Sequence, residues 1–249
     1  MKNYDAGMDS TLTLEYRGKR ITVDVYSREG LDLLSNLWIK SAAEHRLMYE
    51  PTWLGRPIIQ FSTDIVIIQE LLWKLQPDIV VETGVAHGGS LVLTASIMEL
   101  IGKGKVIGVD IEIRPHNRAA IEAHPLCHRI ELIEGSSVAP QTLNAVIKAI
   151  GNAKTVLVFL DSNHSEAHVL QELELYAPLI TPGSYLVAHD GAQAWVWDIP
   201  SGKPEWKDDH PLNAIYKFLD SHPEFTIDPH WNRLGITSSP DGFLKRSDL

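Results

Sequence analysis

Between residues 78 and 191 the chain alternates two hydrophobic patterns. Short, continuously apolar runs occur at 78–84 (DIVVETG), 105–112 (KVIGVDIE), 129–137 (RIELIEGSS), 155–163 (TVLVFLDSN) and 184–191 (SYLVAHDG). Between them lie SLVLTASIMELIG, RPHNRAAIEAH, QTLNAVIKAIG and SEAHVLQELELYAPLI, with apolar residues at helical spacing. Strands apolar on both faces are buried on both, so the pattern predicts an α/β fold with a parallel sheet covered on each side. Upstream, TLTLEYRGKRITVDVY at 11–26 alternates around the turn RGK and predicts a hairpin. Leu31, Leu34, Leu37, Trp38 and Leu47 predict a helix over 30–49. Pro51, Gly55 and Pro57 break that pattern. A second helix is expected over 63–75, with Ile65, Ile68, Leu71, Leu72 and Leu75 on one face and Pro77 as its stop. The Trp- and Pro-rich stretch AWVWDIPSGKPEWKDDHP at 194–211 reads as a loop and a candidate lid.

Composition narrows the class. A chain of 249 residues with 44% apolar content suits one domain with an appendage. We expect an appendage at 1–50 and the main domain at 51–249. Thirty-two acidic against 22 basic residues give a net charge of −10, which argues against nucleic acid as a partner. Cys127 is the single cysteine, so neither a disulfide nor a cysteine zinc cluster is available within the chain. MKNYDAGMDS has no apolar signal core, and runs such as IVII at 65–68 fall far short of the roughly 18 residues of a membrane span. These features predict a soluble, cytoplasmic protein without a transmembrane segment.

Ligands of open α/β sheets sit beyond the carboxyl ends of the strands. Those ends carry Glu82 followed by TGVAHGGS, then Asp110, then Glu134 with Gly135, Ser136 and Ser137, then Asp161, and finally His189 and Asp190. The first loop departs from the dinucleotide spacing G-x-G-x-x-G, because Ala86 takes the middle position between Gly84 and Gly89. An acid at 82 sits badly beside a pyrophosphate and suits a cationic amine, as in S-adenosylmethionine. Asp110 suits ribose hydroxyls in either kind of fold. A tight strand-to-helix turn without a ligand is the alternative to a ligand-binding loop at Gly84, Gly88 and Gly89, and open α/β sheets favour the ligand.

Asp161 and Asp190 end two strands that, as neighbours, would lie about 4.8 Å apart. Two such carboxylates can share a divalent cation such as Mg²⁺, or one of them protonates. His189 would suit Mn, Fe or Zn better, or act as a base. In LDSNHSEAH, His164 is placed to reach the crevice as a general base, or simply to bond backbone. His168 reads as a helix residue. HSEAH resembles the zinc motif H-E-x-x-H only superficially, its Glu standing one position late.

WLGRPIIQFSTD, QPDIVVETGVAHGGS, VIGVDIEIR, VFLDSNHS, LVAHDG and GITSSPDGFLKR, taken in order, resemble the cephalosporin hydroxylase family, relatives of rhamnosyl and macrolide-sugar O-methyltransferases. The resemblance runs from about residue 50 to the C-terminus. It implies a class I S-adenosylmethionine-dependent methyltransferase fold, a seven-stranded sheet of order 3-2-1-4-5-7-6, and Mg²⁺ (with Mn²⁺ as second choice) held at Asp161, His189 and Asp190. His189 stands where the family usually has Glu or Asp. Cofactor contacts are expected from Glu82, Thr83, Gly84, Ala86, Gly88, Ser90, Asp110, Ile111, Ser136, Ser137 and Asp161. Catalytic roles are expected for Asp161, His164 and His189. The expected reaction is methylation of a hydroxyl on a sugar or small natural product by a homo-oligomer. An oxidoreductase on the same fold and a non-catalytic cofactor-binding subunit are the alternatives. Trp195, Trp197 and Trp206 form either an aromatic platform or loop anchors.

Overall fold

A computed structural model describes residues 10–247. Most of the N-terminal decapeptide discussed above lies outside the described residues. The hairpin forms as expected: β1 (Thr11–Tyr16) pairs antiparallel with β2 (Lys19–Asp24), and Arg17 and Gly18 turn the chain at positive φ. Helix α1 (Arg28–Glu44) starts at Ser27, whose side chain accepts a bond from the Gly30 N–H. It ends earlier than the sequence pattern suggests. His45 caps it and Arg46 enters the left-handed region (φ 55°), so Leu47–Tyr49 form a separate 3₁₀ turn. Leu31, Leu34 and Trp38 also stay largely exposed, while Gly30, Ser35, Ile39 and Ala42 are the buried positions. The contact partner fixed that choice: Ile39 and Ala42 join Phe61 and Ala192 in a small apolar cluster.

A two-residue ladder follows, β3 (Thr52–Trp53) with β4 (Arg56–Pro57), and then α2 (Ser62–Leu75). The alternating core comprises β5 (Ile79–Thr83), α3 (Gly89–Ile101), β6 (Lys105–Asp110), α4 (Pro115–Glu122), β7 (Ile130–Glu134), α5 (Pro140–Ile150), β8 (Val156–Leu160), α6 (Glu166–Tyr176) and β9 (Tyr185–Ala188). The Trp-rich stretch is mostly loop, as expected, with one short helix, α7 (Gln193–Val196), and a 3₁₀ turn at Pro204–Lys207. The chain closes with α8 (Pro211–Ser221), β10 (Phe225–Ile227) and β11 (Phe243–Arg246).

One sheet has the order β10-β11-β9-β8-β5-β6-β7. Strands β5 to β9 pair in parallel, and β11 and β10 are antiparallel additions. Reading the sheet strands in chain order, this is 3-2-1-4-5-7-6. Both faces are apolar because neighbouring residues point opposite ways. Val80 packs with Leu71 of α2 and Leu91 of α3, whereas Val81 packs with Leu173 of α6. The register aligns Thr83 with Leu160, and Leu160 with Ala188. The ladder continues past the strand ends, where Asp161 N–H donates to Thr83 O and His189 N–H donates to Leu160 O, each at 2.9 Å. Thus the ends of the first, fourth and fifth parallel strands converge on one crevice.

Candidate active site

The crevice opens into a cavity of about 580 Å³. Its floor is Gly84, Ala86, Ser90, Asp161, His164 and Asp190. Its outer wall comes from α1 and the Trp-rich stretch, including Ile39, Val196 and Trp206. A smaller recess behind the floor shares Gln60, Ser90 and Asp161 and adds Glu82 and His189.

The glycine loop is shaped by close approach. Gly84 has φ +92°, and a Cβ there would lie 1.9 Å from the Asp161 carbonyl oxygen. At Gly89 a Cβ would lie 2.2 Å from the Pro57 carbonyl oxygen, so the first turn of α3 presses directly on β4. Asp110 holds the loop from the other side. Its carboxylate accepts from Val85 N (2.8 Å), Ala86 N (3.2 Å) and Glu112 N (3.2 Å). A carboxylate offers about four lone-pair positions, so little capacity remains for the two ribose hydroxyls expected of it.

Glu82 is 3% exposed, and the Ser90 hydroxyl donates a hydrogen bond to it. Burial pushes its carboxyl up to about 7 against that bond. Asp161 is raised as well, first by burial and then by the Asp190 and Glu82 carboxylates. Asp190 moves the other way, down to about 2: burial raises it, but the charge and hydrogen bond of His164, together with His189 and a hydrogen bond from Asp161, outweigh that effect. His164 is raised in turn, chiefly by Asp190. Its Nε2 lies 3.0 Å from Asp190 Oδ2 and 3.9 Å from Asp161 Oδ1. Asp190 reaches this position through a left-handed backbone (φ 59°), a conformation a non-glycine residue adopts where its surroundings compel it.

The donor group within the described residues is therefore Asp161, His164 and Asp190, with ligand atoms all within 4.8 Å of one another. His189 is not in it. Its side chain shares a sheet face with Phe159, against which its ring tilts at 5.6 Å, and its Nδ1 pairs with Ser239 Oγ at 2.8 Å. Burial lowers its pKa to about 4, so it is neutral and a poor base. The expectation of His189 as metal ligand and catalytic group is corrected accordingly: consecutive residues at a strand end point apart, and the turn at Asp190 carries only that side chain to Asp161. His168 is a helix residue, as expected, but an engaged one: its Nε2 lies 3.1 Å from Ser162 Oγ and 3.2 Å from Ser137 Oγ.

Ser136, Ser137 and Ile111 lie at neighbouring strand ends outside the cavity wall, Ile111 being 73% exposed. Thr83 is fully buried, and its side chain accepts from Asp161 N at 3.3 Å. Gly88 has φ +79° and supports the loop turn from behind, against Ile121. The sequence reading missed Gln60. It is 6% exposed, its side-chain oxygen has no hydrogen-bond partner among the described residues, and it borders both cavities. Its motif, GRPIIQF, was visible; nothing in its spacing marked Gln60 as a cavity residue.

These residues fit the cofactor and the metal. Three converging carboxylates, Glu82, Asp161 and Asp190, form a site that calls for positive charge. The buried Glu82 and the unpaired Gln60 oxygen suit an ammonium donor, and the Asp161–His164–Asp190 group offers two hard oxygens and one nitrogen to a divalent ion.

Comparison with known proteins agrees with this geometry. The chain is 33% identical over 207 residues to a rhamnosyl O-methyltransferase of Mycobacterium tuberculosis, covering 79% of this chain and 78% of that protein. It is 36% identical over 145 residues to a rhamnosyl O-methyltransferase of Mycobacterium leprae, covering 56% and 59%. Among solved structures, CmcI with Mg and SAM superposes with a TM-score of 0.58 at 19% identity, over 80% of this chain and 77% of that one. An O-methyltransferase from Bacillus cereus in complex with SAH gives 0.52 at 18% identity, over 82% and 84%. At such identities the superpositions show the class I methyltransferase fold. The family profile described as Rhamnosyl O-methyltransferase/CmcI matches residues 45–247, and the chain belongs to that family.

Proposed function

We propose that this protein is an S-adenosylmethionine-dependent O-methyltransferase acting on a sugar hydroxyl, assisted by a divalent metal. One observation carries the reading: a single cavity joins the glycine loop to the Asp161–His164–Asp190 group. When bound, the cofactor supplies an electrophilic methyl group, and the metal a charge that lowers the pKa of the acceptor hydroxyl. Glu82 and Gln60 receive the cofactor's ammonium group. Ser90 orients Glu82. Asp161 and Asp190 hold the metal. His164 Nε2 would take the proton of the acceptor hydroxyl, and Asp190 would stabilise the resulting imidazolium. Holding oxygen and methyl in line supplies much of the acceleration.

Mg²⁺ is the first choice of metal and Mn²⁺ the second. His164 can serve as a nitrogen ligand or as the base, and the two roles separate experimentally: a ligand role makes metal affinity fall in His164→Ala, whereas a base role leaves it unchanged. Family membership favours methyl transfer over the oxidoreductase alternative. We further assign residues 51–249 to the methyltransferase unit and 1–50 to an appendage, and place the enzyme in the cytoplasm as a homo-oligomer without a nucleic-acid partner. None of the helices among the described residues is long and apolar enough to cross a membrane. A labelled methyl-transfer screen over rhamnosides and other hydroxylated sugars, run with Mg²⁺ and with Mn²⁺, tests the function. Calorimetry showing no binding of S-adenosylmethionine or S-adenosylhomocysteine, with or without metal, overturns it.

A further inference from the structure

The N-terminal segment and the Trp-rich stretch meet at one carboxylate. Asp198 follows α7, and its side chain is 5% exposed. It accepts hydrogen bonds from the Tyr16 hydroxyl at the end of β1 and from Lys40 Nζ on α1. The Arg17 guanidinium, in the β1–β2 turn, lies 3.3 Å away. The same cations grip the flanking residues: Arg17 sits 4.2 Å over the Trp197 ring, and Lys40 also donates to the Trp195 carbonyl. A second tie lies three residues on, where Ser201 N donates to Glu44 Oε2 at 2.9 Å.

The far side of this stretch faces the chemistry. Val196, Ile199, Ser201 and Trp206 line the cavity that contains Asp161, His164 and Asp190. In the amide orientation that satisfies both partners, Gln193 accepts from Trp206 Nε1 and donates to the His164 carbonyl at 3.2 Å. The stretch thus spans from the candidate base to the appendage. Every side chain that grips Asp198 lies before residue 45, where the family match begins.

Exposed ion pairs contribute little to stability. A buried carboxylate with three partners differs, because removing its charge leaves the 15%-exposed Lys40 ammonium without its counter-charge. Helix α7 is only four residues long, and apolar packing of Trp195 and Val196 on the Ile39–Ala42 cluster accompanies these polar ties.

We infer that Asp198 is a positioning residue. It docks the 193–207 stretch onto β1, the β1–β2 turn and α1, so that a segment outside the shared family region completes the outer, acceptor-side wall of the active site. The term acceptor rests on the methyl-transfer reading; the docking does not.

The test compares the wild type with Asp198→Asn, Lys40→Met and the charge-conserving Asp198→Glu, each first shown to be folded by circular dichroism. Hydrogen exchange is read by mass spectrometry. Amides of 193–207 should exchange at least tenfold faster in Asp198→Asn and Lys40→Met, while β5 and β8 keep their protection and Asp198→Glu recovers part of the loss. Diethyl pyrocarbonate, used as a probe of cavity access, should modify His164 severalfold faster in Asp198→Asn. His128, exposed on a distant surface, should react at the wild-type rate. Unchanged exchange over 193–207, or loosening that spreads equally to β5 and β8, overturns the inference. With any sugar the wild type methylates, Asp198→Asn should raise the acceptor KM at least fivefold and keep kcat within threefold; a fall in kcat alone overturns the positioning role. A wild type that methylates no sugar counts against the proposed function, while the exchange and modification results still decide the docking.

Discussion

His164 Nε2 lies 3.0 Å from Asp190 Oδ2, and each group shifts the other: the imidazole holds the Asp190 carboxyl down at about 2, and the carboxylate raises the imidazole. This is the geometry of a base oriented by an acid, set on the floor of a cofactor-sized cavity. His164→Ala should lower kcat by about 10²–10⁴-fold, the usual range for a lost general base. S-adenosylhomocysteine affinity, measured by calorimetry, should stay within threefold. A variant that retains wild-type turnover removes His164 from the mechanism.

Asp161→Ala should abolish activity and remove most of the divalent-metal affinity. Paramagnetic resonance of Mn²⁺ titrated into the wild type and the variant reads the second effect directly. Turnover unchanged in the variant withdraws the metal assignment.

Glu82 links cofactor binding to stability. Its folded pKa of about 7 lies above the ordinary carboxyl value of 4.5, so the folded protein holds a proton that the unfolded chain releases between those limits. The contribution of Glu82 to the stability of the unliganded protein should therefore be fully present below about pH 4.5 and fall by roughly 3 kcal/mol as pH rises through 7. Asp64, raised to about 6 mainly by burial, adds a fall in the same direction over a lower window. Glu82→Gln should flatten the pH dependence, raise the unliganded melting temperature near pH 8, and weaken S-adenosylhomocysteine binding at least tenfold. Urea unfolding near pH 5 and pH 8 checks the sign.

Gly84→Ala should destabilise the fold by about 2 kcal/mol or more, because its φ of +92° strains any side chain and its Cβ would clash with the Asp161 carbonyl at 1.9 Å. The displaced carbonyl should also disturb Asp161, so metal affinity is expected to fall with stability. Denaturant midpoints and Mn²⁺ binding measure both.

The ordered strand-end residues Glu82, Asp110, Asp161 and Asp190 were legible because a parallel sheet puts the carboxyl end of every strand on one edge. Runs such as DIVVET and VLVFLD need no tertiary information to be recognised, since burial on two faces leaves its mark in each residue. The same logic supplied the hairpin at 11–24 and placed the boundaries of most helices within a residue or two.

What lay beyond the sequence depended on direction and on distant partners. Leu31, Leu34 and Trp38 look like a buried stripe, yet the cluster around Phe61 and Ala192 selects Ile39 and Ala42 on another face of the helix. His189 and Asp190 are adjacent in sequence, and only the left-handed turn at Asp190 sends one side chain to the crevice and leaves the other against Phe159. Asp198 looks like an ordinary loop acid until Tyr16, Arg17 and Lys40 arrive from more than 150 residues away. Local pattern determines which residues are strand, helix and strand end, because each reports its own burial. Which of the polar groups meet is decided by packing between remote segments, and no single segment carries a record of its partner.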